Sequence, residues 1–337
     1  MKSLTFNNYG GPEVYSLESL SIPEPQPGQV RIRVVAAGLN PVDSVQREGG
    51  LKMLHPYDFP KVAGNEVSGT IDALGDGVTG FERGENVIAR LGKSELGGLA
   101  EYVVTEASFV ARAPEKASLI DAAGLPLAGL TARQALGTEH LDVQPGDRLL
   151  ITGAAGGVGL YAIQLAKLQS AEVTVTASPQ GEGPVRNAGA DHVINYREQK
   201  VSEAGRTYNK IFDLVGGDDM NDLFNVIEAG GRVVSIAGPP SPGSLVPMAV
   251  PRRRWLVAIV EKLQSRKACS LARKAQASYE YFFMHPDGAE LAELSALVDA
   301  GKLTLTTDST YALEEWSKAF EQLESRHSKG KVIVEVA

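Results

Sequence analysis

The chain has 337 residues, of which 43% are hydrophobic and 22% are charged, and its formal net charge is −8. This length exceeds what one growing hydrophobic core fills, so two domains are expected, and the composition excludes a disordered or fibrous chain. The acidic balance argues against a general nucleic-acid binder, and the single cysteine, Cys269, excludes an internal disulfide and a cysteine-based zinc cluster. We find no signal-peptide pattern and no apolar run of bilayer length, so we expect a cytoplasmic protein without an integral membrane segment.

The pattern of short segments changes twice along the chain. Residues 1–125 carry alternating segments such as VRIRVVAAG and ENVIARL between Gly and Pro punctuation, which predicts a mostly antiparallel β domain. In residues 126–285, helical stretches alternate with near-continuous apolar strands such as RLLITG and KIFDLVG, which is typical of a covered parallel sheet. One of these helices is predicted over 218–231. Residues 286–337 return to the alternating pattern of residues 1–125 and end with KVIVEV. The sequence therefore predicts an α/β chain in which a doubly wound domain interrupts a β-rich domain.

The strongest local motif is LLITGAAGGVGLYAIQLAK, a strand, a glycine-rich turn and a helix in direct succession. Gly156 allows the backbone to approach a pyrophosphate, and Gly159 allows the helix to pack closely on the sheet. The amino-terminal dipole of the helix then attracts the negative charge. In this setting the motif favours a dinucleotide site over a tight turn without a ligand.

The end of the next strand indicates which dinucleotide binds. An acid at this point would pair with the ribose hydroxyls of NAD, but TVTASPQGEG has Ser178 there. The missing carboxylate favours NADPH, with Ser178 as a donor to the 2′-phosphate. No Lys or Arg follows directly, so Arg186 and Tyr196 are the candidate substitutes, although Arg186 also fits a solvated helix position.

Several separated motifs in order, AAGLNPVDSVQREGG, VAGNEVSGTIDALGDGVTGFERGENV, LPLAGLTARQAL and GKVIVEV, resemble the medium-chain dehydrogenase/reductase superfamily. The chain is similar to its zinc-free quinone oxidoreductase and enone reductase branch over nearly its whole length. The resemblance implies a GroES-like catalytic domain over 1–125, a Rossmann NADP-binding domain over 126–285 and a return to the catalytic domain over 286–337. It also implies an active site in the cleft between the domains.

The resemblance also bears on metal binding. Zinc-dependent relatives carry Cys where Asn40 stands, His where Asn65 stands and Cys near Leu127. Amides and a leucine do not supply the thiolate and imidazole that zinc takes in such sites, so we expect no metal and interpret Glu66 as a structural carboxylate.

By position in the family motifs, the resemblance assigns a set of cofactor contacts. Asn40 is expected near the nicotinamide and the substrate oxygen, and Ser178 and Tyr196 at the adenosine end. The full expected set is Asn40, Thr131, Gly156, Gly157, Val158, Ser178, Tyr196, Val215, Gly216, Ala237 and Gly238.

The proton donor departs from the family pattern. Many relatives have a tyrosine after R-x-G, whereas this chain reads REGGLKMLHPYDFP, which leaves Lys52 and Tyr57 as catalytic candidates beside Asn40. Each also fits a solvated loop position, and water can protonate an enolate.

Two further segments are candidate contact surfaces. Residues 252–274 hold eight basic residues and one acid, which fits either a solvated helix face or a patch for an acidic substrate, a CoA-like tail or a membrane surface. The aromatic segment YEYFFM matches an edge strand that pairs across dimers in the superfamily, so a homodimer is expected.

The leading hypothesis is an NADPH-dependent oxidoreductase that reduces small quinones or α,β-unsaturated carbonyls without a metal. An enoyl-thioester reductase is a second enzyme hypothesis, which the basic stretch would suit. A non-catalytic NADPH-binding protein is the alternative from another class.

Overall fold

The structure is a computed structural model that describes residues 1–92, 96–217 and 220–337. Within these residues, no helix is both long enough and apolar enough to cross a bilayer.

The chain forms two compact units. The first unit combines Met1–Leu130 with His285–Ala337, and the second unit is Thr131–Met284. The strands of the described residues, in chain order, are β1 (Lys2–Phe6), β2 (Tyr15–Ser19), β3 (Gln29–Leu39), β4 (Lys61–Val62), β5 (Glu66–Leu74), β6 (Asn86–Arg90), β7 (Tyr102–Glu106), β8 (Val110–Arg112), β9 (Arg148–Ile151), β10 (Glu172–Ala177), β11 (His192–Asn195), β12 (Tyr208–Asp213), β13 (Ile227–Ser235), β14 (Ser278–Tyr281), β15 (Thr307–Ala312) and β16 (Lys331–Glu335).

The helices connect and cover these strands. Short single-turn helices also occur but do not position the site. The α-helices of the described residues, in chain order, are α1 (Pro41–Arg47), α2 (Leu119–Ala122), α3 (Pro126–Leu136), α4 (Gly157–Leu168), α5 (Pro179–Asn187), α6 (Met220–Val226), α7 (Arg254–Gln264), α8 (Arg266–Lys274), α9 (Gly288–Asp299) and α10 (Trp316–Glu324).

The first unit is built on β-sheets. A seven-stranded sheet runs in the order β15-β16-β3-β5-β6-β8, with β7 also paired to β3, and a three-stranded sheet has the order β2-β1-β4. All the pairs are antiparallel except β15 with β16. Buried and half-buried residues alternate along β7, as expected for strands with one face on a core. That core includes Val34, Val67 and Phe320.

The second unit contains a six-stranded, fully parallel sheet in the order β11-β10-β9-β12-β13-β14. Successive strands step outward from β9 to β11, and the chain then returns to place β12 on the other side of β9. This reversal is the switch point at which doubly wound sheets bind their ligands. The apolar runs predicted as strands are buried because helices cover the sheet, and Leu150 and Ile211 are fully buried.

One predicted helix is shorter than expected. The prediction covered 218–231, where 218 and 219 lie outside the described residues, but α6 ends at Val226 and β13 begins at Ile227. The apolar run FNVI fits either period, and here the pairing of Ile227 with Tyr208 decides for the strand.

Candidate functional site

The carboxyl ends of the parallel strands in the second unit meet at one edge of the sheet. We call the residues that follow these strands the carboxyl edge. Most of the residues that sequence reasoning assigned to the cofactor belong to it, although they are far apart in the chain. They follow β9 (Gly156, Gly157, Val158), β10 (Ser178), β11 (Tyr196), β12 (Val215, Gly216) and β13 (Ala237, Gly238).

The glycine turn after β9 leaves its backbone open. Gly156 is the N-cap of α4 and no side chain caps the helix there. A Cβ atom added at Gly156 would meet no heavy atom within 4 Å, whereas one added at Gly159 would lie 2.3 Å from the carbonyl oxygen of Ala154. Gly159 is therefore required for packing, and Gly156 leaves free space above the helix N-terminus. This fits a pyrophosphate, which needs backbone N–H groups and close approach.

A buried carboxylate holds the loops on the other side of the switch point. Asp213 Oδ1 accepts hydrogen bonds from Thr152 Oγ1 at 2.8 Å and from Gly216 N at 3.1 Å. Its Oδ2 accepts from Ser235 Oγ at 2.7 Å, and Ser235 Oγ in turn accepts from Gly238 N at 2.7 Å. The three strand ends β9, β12 and β13 are thus tied to one side chain. Sequence reasoning missed Asp213 and Ser235, although each is the last residue of its strand before a glycine loop.

The loops after β12 and β13 also touch through their backbones. Gly216 has φ +66, and a Cβ there would lie 2.2 Å from the carbonyl oxygen of Ala237. Val215 beside it is 53% exposed. The edge therefore presents a fixed backbone and an accessible Val215 to a ligand.

The strand ends β10 and β11 carry the predicted adenosine contacts. Ser178 is the N-cap of α5, yet its side chain makes no capping hydrogen bond. Tyr196 is 55% exposed, and Arg186 Nε donates to Glu182 Oε1 at 2.8 Å within the same helix. Thr131 differs from this group, since it is buried within α3 and does not follow a strand.

The first unit contains a buried polar cluster around Glu66. This side chain is fully buried, and its Oε1 accepts hydrogen bonds from Asn40 Nδ2 at 2.7 Å and from Lys331 Nζ at 2.8 Å. Its Oε2 accepts from the backbone N of Leu127 at 2.6 Å, in the first turn of α3, where a helix favours negative charge. The cluster consists of Asn40, Asp43, Gln46, Asn65, Glu66, Arg90 and Lys331.

Asn40 is held by the protein on every side of its amide. Both Nδ2 hydrogens are used, on Glu66 and on the carbonyl of Gly38, and Oδ1 accepts from Lys331 Nζ. A Cβ at Gly38 would lie 2.5 Å from Glu66 Oε1, so this approach requires glycine. The side chain is 3% exposed, and its predicted contact with substrate stays a prediction.

Asn65 is bound to the short helix α1. Its Nδ2 donates to Asp43 Oδ1 and to Gln46 Oε1, both at 2.6 Å. Burial raises the pKa of Asp43 to about 6, although its hydrogen bonds from Asn65 and from the backbone of Asn40 act in the opposite direction. Burial also lowers the pKa of Arg90 to about 10, against the attraction of the nearby carboxylates. The cluster therefore contains several buried charges, and the groups that compensate them come from the chain itself.

The two candidate proton donors differ in their surroundings. Lys52 is exposed, whereas Tyr57 is half-buried and its ring packs at 6.1 Å from Phe6 and 6.3 Å from Tyr9. The Tyr57 hydroxyl is buried and has no hydrogen-bond partner within the described part of the chain. Burial raises the pKa of Tyr57 above its ordinary value, so the hydroxyl keeps its proton.

A different set of side chains brings possible metal ligands together. Ligand atoms of His285, Asp287 and Glu290 lie within 4.8 Å of one another in the described residues. Asp287 Oδ1 already caps α9 by accepting from Glu290 N at 2.9 Å. This arrangement has an ordinary structural role, and we assign no metal to it.

Comparison with known proteins gives the same picture. Residues 26–115 match a model of the alcohol dehydrogenase GroES-like domain, and residues 188–334 match a model described as zinc-binding dehydrogenase. The chloroplast envelope quinone oxidoreductase homolog of Arabidopsis thaliana is 31% identical over 99% of this chain and 98% of its own length. The chloroplastic NADPH-dependent alkenal/one oxidoreductase of the same plant is 32% identical over 99% of this chain and 79% of its own.

A solved structure agrees in fold. Quinone oxidoreductase of Escherichia coli complexed with NADPH has a TM-score of 0.83 and 25% identity, and the match covers 100% of both chains. The parallel sheet, its glycine turn and these relatives together define a nicotinamide-dinucleotide-binding oxidoreductase fold. The chain belongs to the medium-chain dehydrogenase/reductase superfamily, in its quinone oxidoreductase branch. The resemblance and the fold class inferred from the sequence are confirmed.

Proposed function

We propose that this protein reduces quinones, or the C=C bond of α,β-unsaturated carbonyls, by hydride transfer from NADPH without a metal. The observation that carries the proposal is the open dinucleotide edge of the second unit, where the Gly156 turn leaves free space above the helix N-terminus. The names of the relatives support the same reaction class.

The bound nicotinamide would supply the hydride, and the protein supplies binding and position. The backbone N–H groups of the Gly156 turn would hold the pyrophosphate. Asp213 and Ser235 fix the loops after β12 and β13, so that Val215 and Gly238 are presented in one geometry. Rigid support of this kind is what hydride transfer needs, because small displacements of the reacting atoms slow it strongly.

The preference for NADPH rests on the end of β10. Ser178 stands where an acid would bind the ribose hydroxyls of NAD, and its hydroxyl is not consumed in capping α5. Tyr196 and Arg186 are the further contacts of this proposal. Replacing Ser178 by Asp should shift the preference toward NADH.

Metal-free reduction is supported by the chemistry of the buried polar cluster. Asn40 and Asn65 offer amides, and Lys331 places an ammonium ion against the Glu66 carboxylate, which would otherwise need another cation. A quinone or enone is already polarised by its own carbonyl, so hydride addition leaves an enolate or hydroquinone anion that needs only a proton. Asn40 is proposed to lie near the nicotinamide and the substrate oxygen, and Tyr57, Lys52 or water to give the proton.

The test is turnover on a panel. Purified protein is assayed with quinones, enones and enoyl thioesters, each with NADPH and with NADH, and its zinc content is measured by elemental analysis. We expect oxidation of NADPH with at least one quinone or enone and zinc far below one ion per chain. Binding of NADPH without turnover across the panel would favour the non-catalytic hypothesis, and turnover of thioesters alone would favour the enoyl-thioester reductase.

Two single variants test which group donates the proton. Tyr57→Phe keeps the ring packing and removes the hydroxyl, so a fall in kcat with an unchanged KM would support Tyr57. Full activity in both Tyr57→Phe and Lys52→Met would leave water as the donor.

The proposal also covers the oligomeric state of the protein and its location in the cell. We propose a homodimer that pairs through β14, because this strand is an edge of its sheet and its outer backbone groups have no strand beside them among the described residues. Light scattering measures the mass, and a monomer would contradict the pairing. The cytoplasmic location is tested by fractionation of the source cells.

A further inference from the structure

Helix α7 exposes an apolar face that the proposed reaction does not use. Trp255, Ile259 and Leu263 are spaced four residues apart and so share one face of the helix, and they are 63%, 50% and 54% exposed. Leu256 adds to the same face at 38%. Four of the twelve large apolar side chains that are exposed in the described residues thus lie within nine positions. Exposed apolar side chains are ordinary when scattered, but a contiguous group marks a contact surface.

The opposite face of α7 is anchored in the second unit. Val257 and Glu261 are buried there, and Glu261 Oε2 accepts from Gly243 N at 2.8 Å. Its other oxygen accepts from Leu245 N and from Ser244 Oγ. Glu261, the one acid of residues 252–274, is therefore buried, and both of its carboxylate oxygens accept hydrogen bonds from the loop 243–245.

What remains exposed around the apolar face is cationic. The stretch holds eight basic residues against that one acid, in a chain whose formal net charge is −8. Within the described residues, the exposed cations of this set form no ion pair. The exposed cations before and after the apolar face are Arg252, Arg254, Lys262, Arg266, Lys267, Arg273 and Lys274.

This charge pattern is unfavourable for the helix itself. Arg252, Arg253 and Arg254 stand at the start of α7, where the helix dipole favours acids, and the first turn contains none. The dipole therefore does not favour the three arginines at the start of α7, whereas it favours Lys262 in the last turn.

We propose that α7, with the cations that flank it, docks the protein on an anionic lipid surface. Helices that lie in a membrane interface combine Trp, Leu and Ile on one face with Lys and Arg beside it, and insert the apolar face below the headgroups. Nucleic acid would use the cations but leave Trp255, Ile259 and Leu263 exposed to water, so lipid is the better chemical complement. The docking is independent of the proposed reaction.

The experiment is sedimentation of the full chain with vesicles at about 0.1 M salt. Vesicles of phosphatidylcholine alone are compared with vesicles containing a quarter phosphatidylglycerol. We expect binding to the anionic vesicles only, a blue shift of tryptophan fluorescence that Trp255→Phe removes, and release at high salt. Substrate turnover is not part of the readout, so failure of docking and failure of the proposed reaction are distinguished.

Two variants and one matched control test the surface. Reversing Lys262, Arg266 and Lys267 to Glu should weaken binding by at least about 100-fold, since each cation near an anionic surface contributes roughly fivefold. Replacing Ile259 and Leu263 by Ser should weaken it by about tenfold through lost apolar burial. The control reverses three exposed cations of the first unit, Arg83, Lys302 and Arg326, to Glu with the same change in net charge and should bind as wild type.

Three results would overturn the proposal. The first is no enrichment of wild type on anionic vesicles. The second is equal loss of binding in the matched control, which would mean that only net charge matters. The third is a wild type that ignores vesicles but forms an oligomer that the Ile259 and Leu263 variant dissociates, which would make the face a contact between copies of the chain. Circular dichroism shows that the variants are folded.

Discussion

The two polar regions of the molecule handle their hydrogen-bonding groups in opposite ways. In the buried polar cluster of the first unit, the Glu66 carboxylate and the Asn40 amide are bound on all sides by the chain's own groups. At the carboxyl edge of the second unit, side chains such as Asp213 fix the loops, while the Gly156 backbone stays open. A closed cluster stabilises the fold, and an open edge with a fixed frame binds a ligand. Substitutions in the two regions should therefore act on different observables.

The largest effect is expected from Lys331→Met. It removes the ammonium ion from a fully buried carboxylate, because Glu66 is 0% exposed and keeps only neutral donors. Leaving one charge of a buried pair without its partner costs about 3–5 kcal/mol in the free energy of unfolding. Urea denaturation followed by circular dichroism measures it.

The double variant Glu66→Gln with Lys331→Met tests whether the uncompensated Glu66 charge causes this loss of stability. Removing both charges should restore most of the stability, since the penalty comes from the uncompensated carboxylate. Lys318→Met is the surface control, because Lys318 and Glu315 form an exposed pair and the change should not be measurable. A double variant no more stable than the single one would contradict the role of Lys331 as the counter-ion of Glu66.

The next effect in size is a pH dependence from Asp43. Its pKa is about 6 in the folded chain against an ordinary value of 3.8, with burial as the main cause. The proton is thus held more tightly in the folded state. Below pH 3.8 both states are protonated, and as the pH rises to 6 only the unfolded state ionises, so stability is lost over this window. The loss is about 3 kcal/mol for a shift of this size.

The variant Asp43→Asn isolates this contribution because it does not titrate. The free energy of unfolding of the variant, minus that of wild type, should rise between pH 4 and pH 6.5. Asp191→Asn is the control of opposite sign: burial pushes the pKa of Asp191 up, but Lys167 and the backbone of Val173 hold it below its ordinary value. Its contribution is lost as the pH falls. A constant difference for Asp43→Asn across the range would refute the assignment.

Local patterns in the sequence were sufficient to predict the open edge. The strand, glycine turn and helix around Gly156 are consecutive, and the residues after each parallel strand share an edge by the geometry of the sheet alone. Asp213 was not marked in the same way, since the predicted strand KIFDLVG runs past it, whereas β12 ends there. The limit lies in FNVI, where the apolar period did not distinguish the end of α6 from the start of β13.

The closed cluster was much harder to predict. Glu66 and Lys331 are 265 residues apart, and they meet because β16 adds to the sheet beside β3. A lysine at the start of a terminal strand ordinarily points to solvent, so nothing local in GKVIVEV marks Lys331 as buried. Asn65 was recognised only through the resemblance, whereas its contacts with Asp43 and Gln46 come from the packing of α1. The sequence alone therefore does not predict which buried charges pair with one another when they are far apart in the chain.

The smallest and most specific effect should come from Gly156→Ala. The added methyl group enters open space, and φ of −82 suits alanine, so stability should not fall. The methyl occupies the volume through which a pyrophosphate reaches the backbone, so the dissociation constant of NADPH should rise at least about tenfold. Gly183→Ala is the control, since its methyl also meets nothing within 4 Å and it lies in the exposed part of α5. Gly159→Ala should instead destabilise the second unit, because its methyl lies 2.3 Å from a backbone oxygen. Fluorescence titration with NADPH and urea denaturation on the same samples separate the two outcomes, and an unchanged affinity in Gly156→Ala would show that the pyrophosphate binds elsewhere.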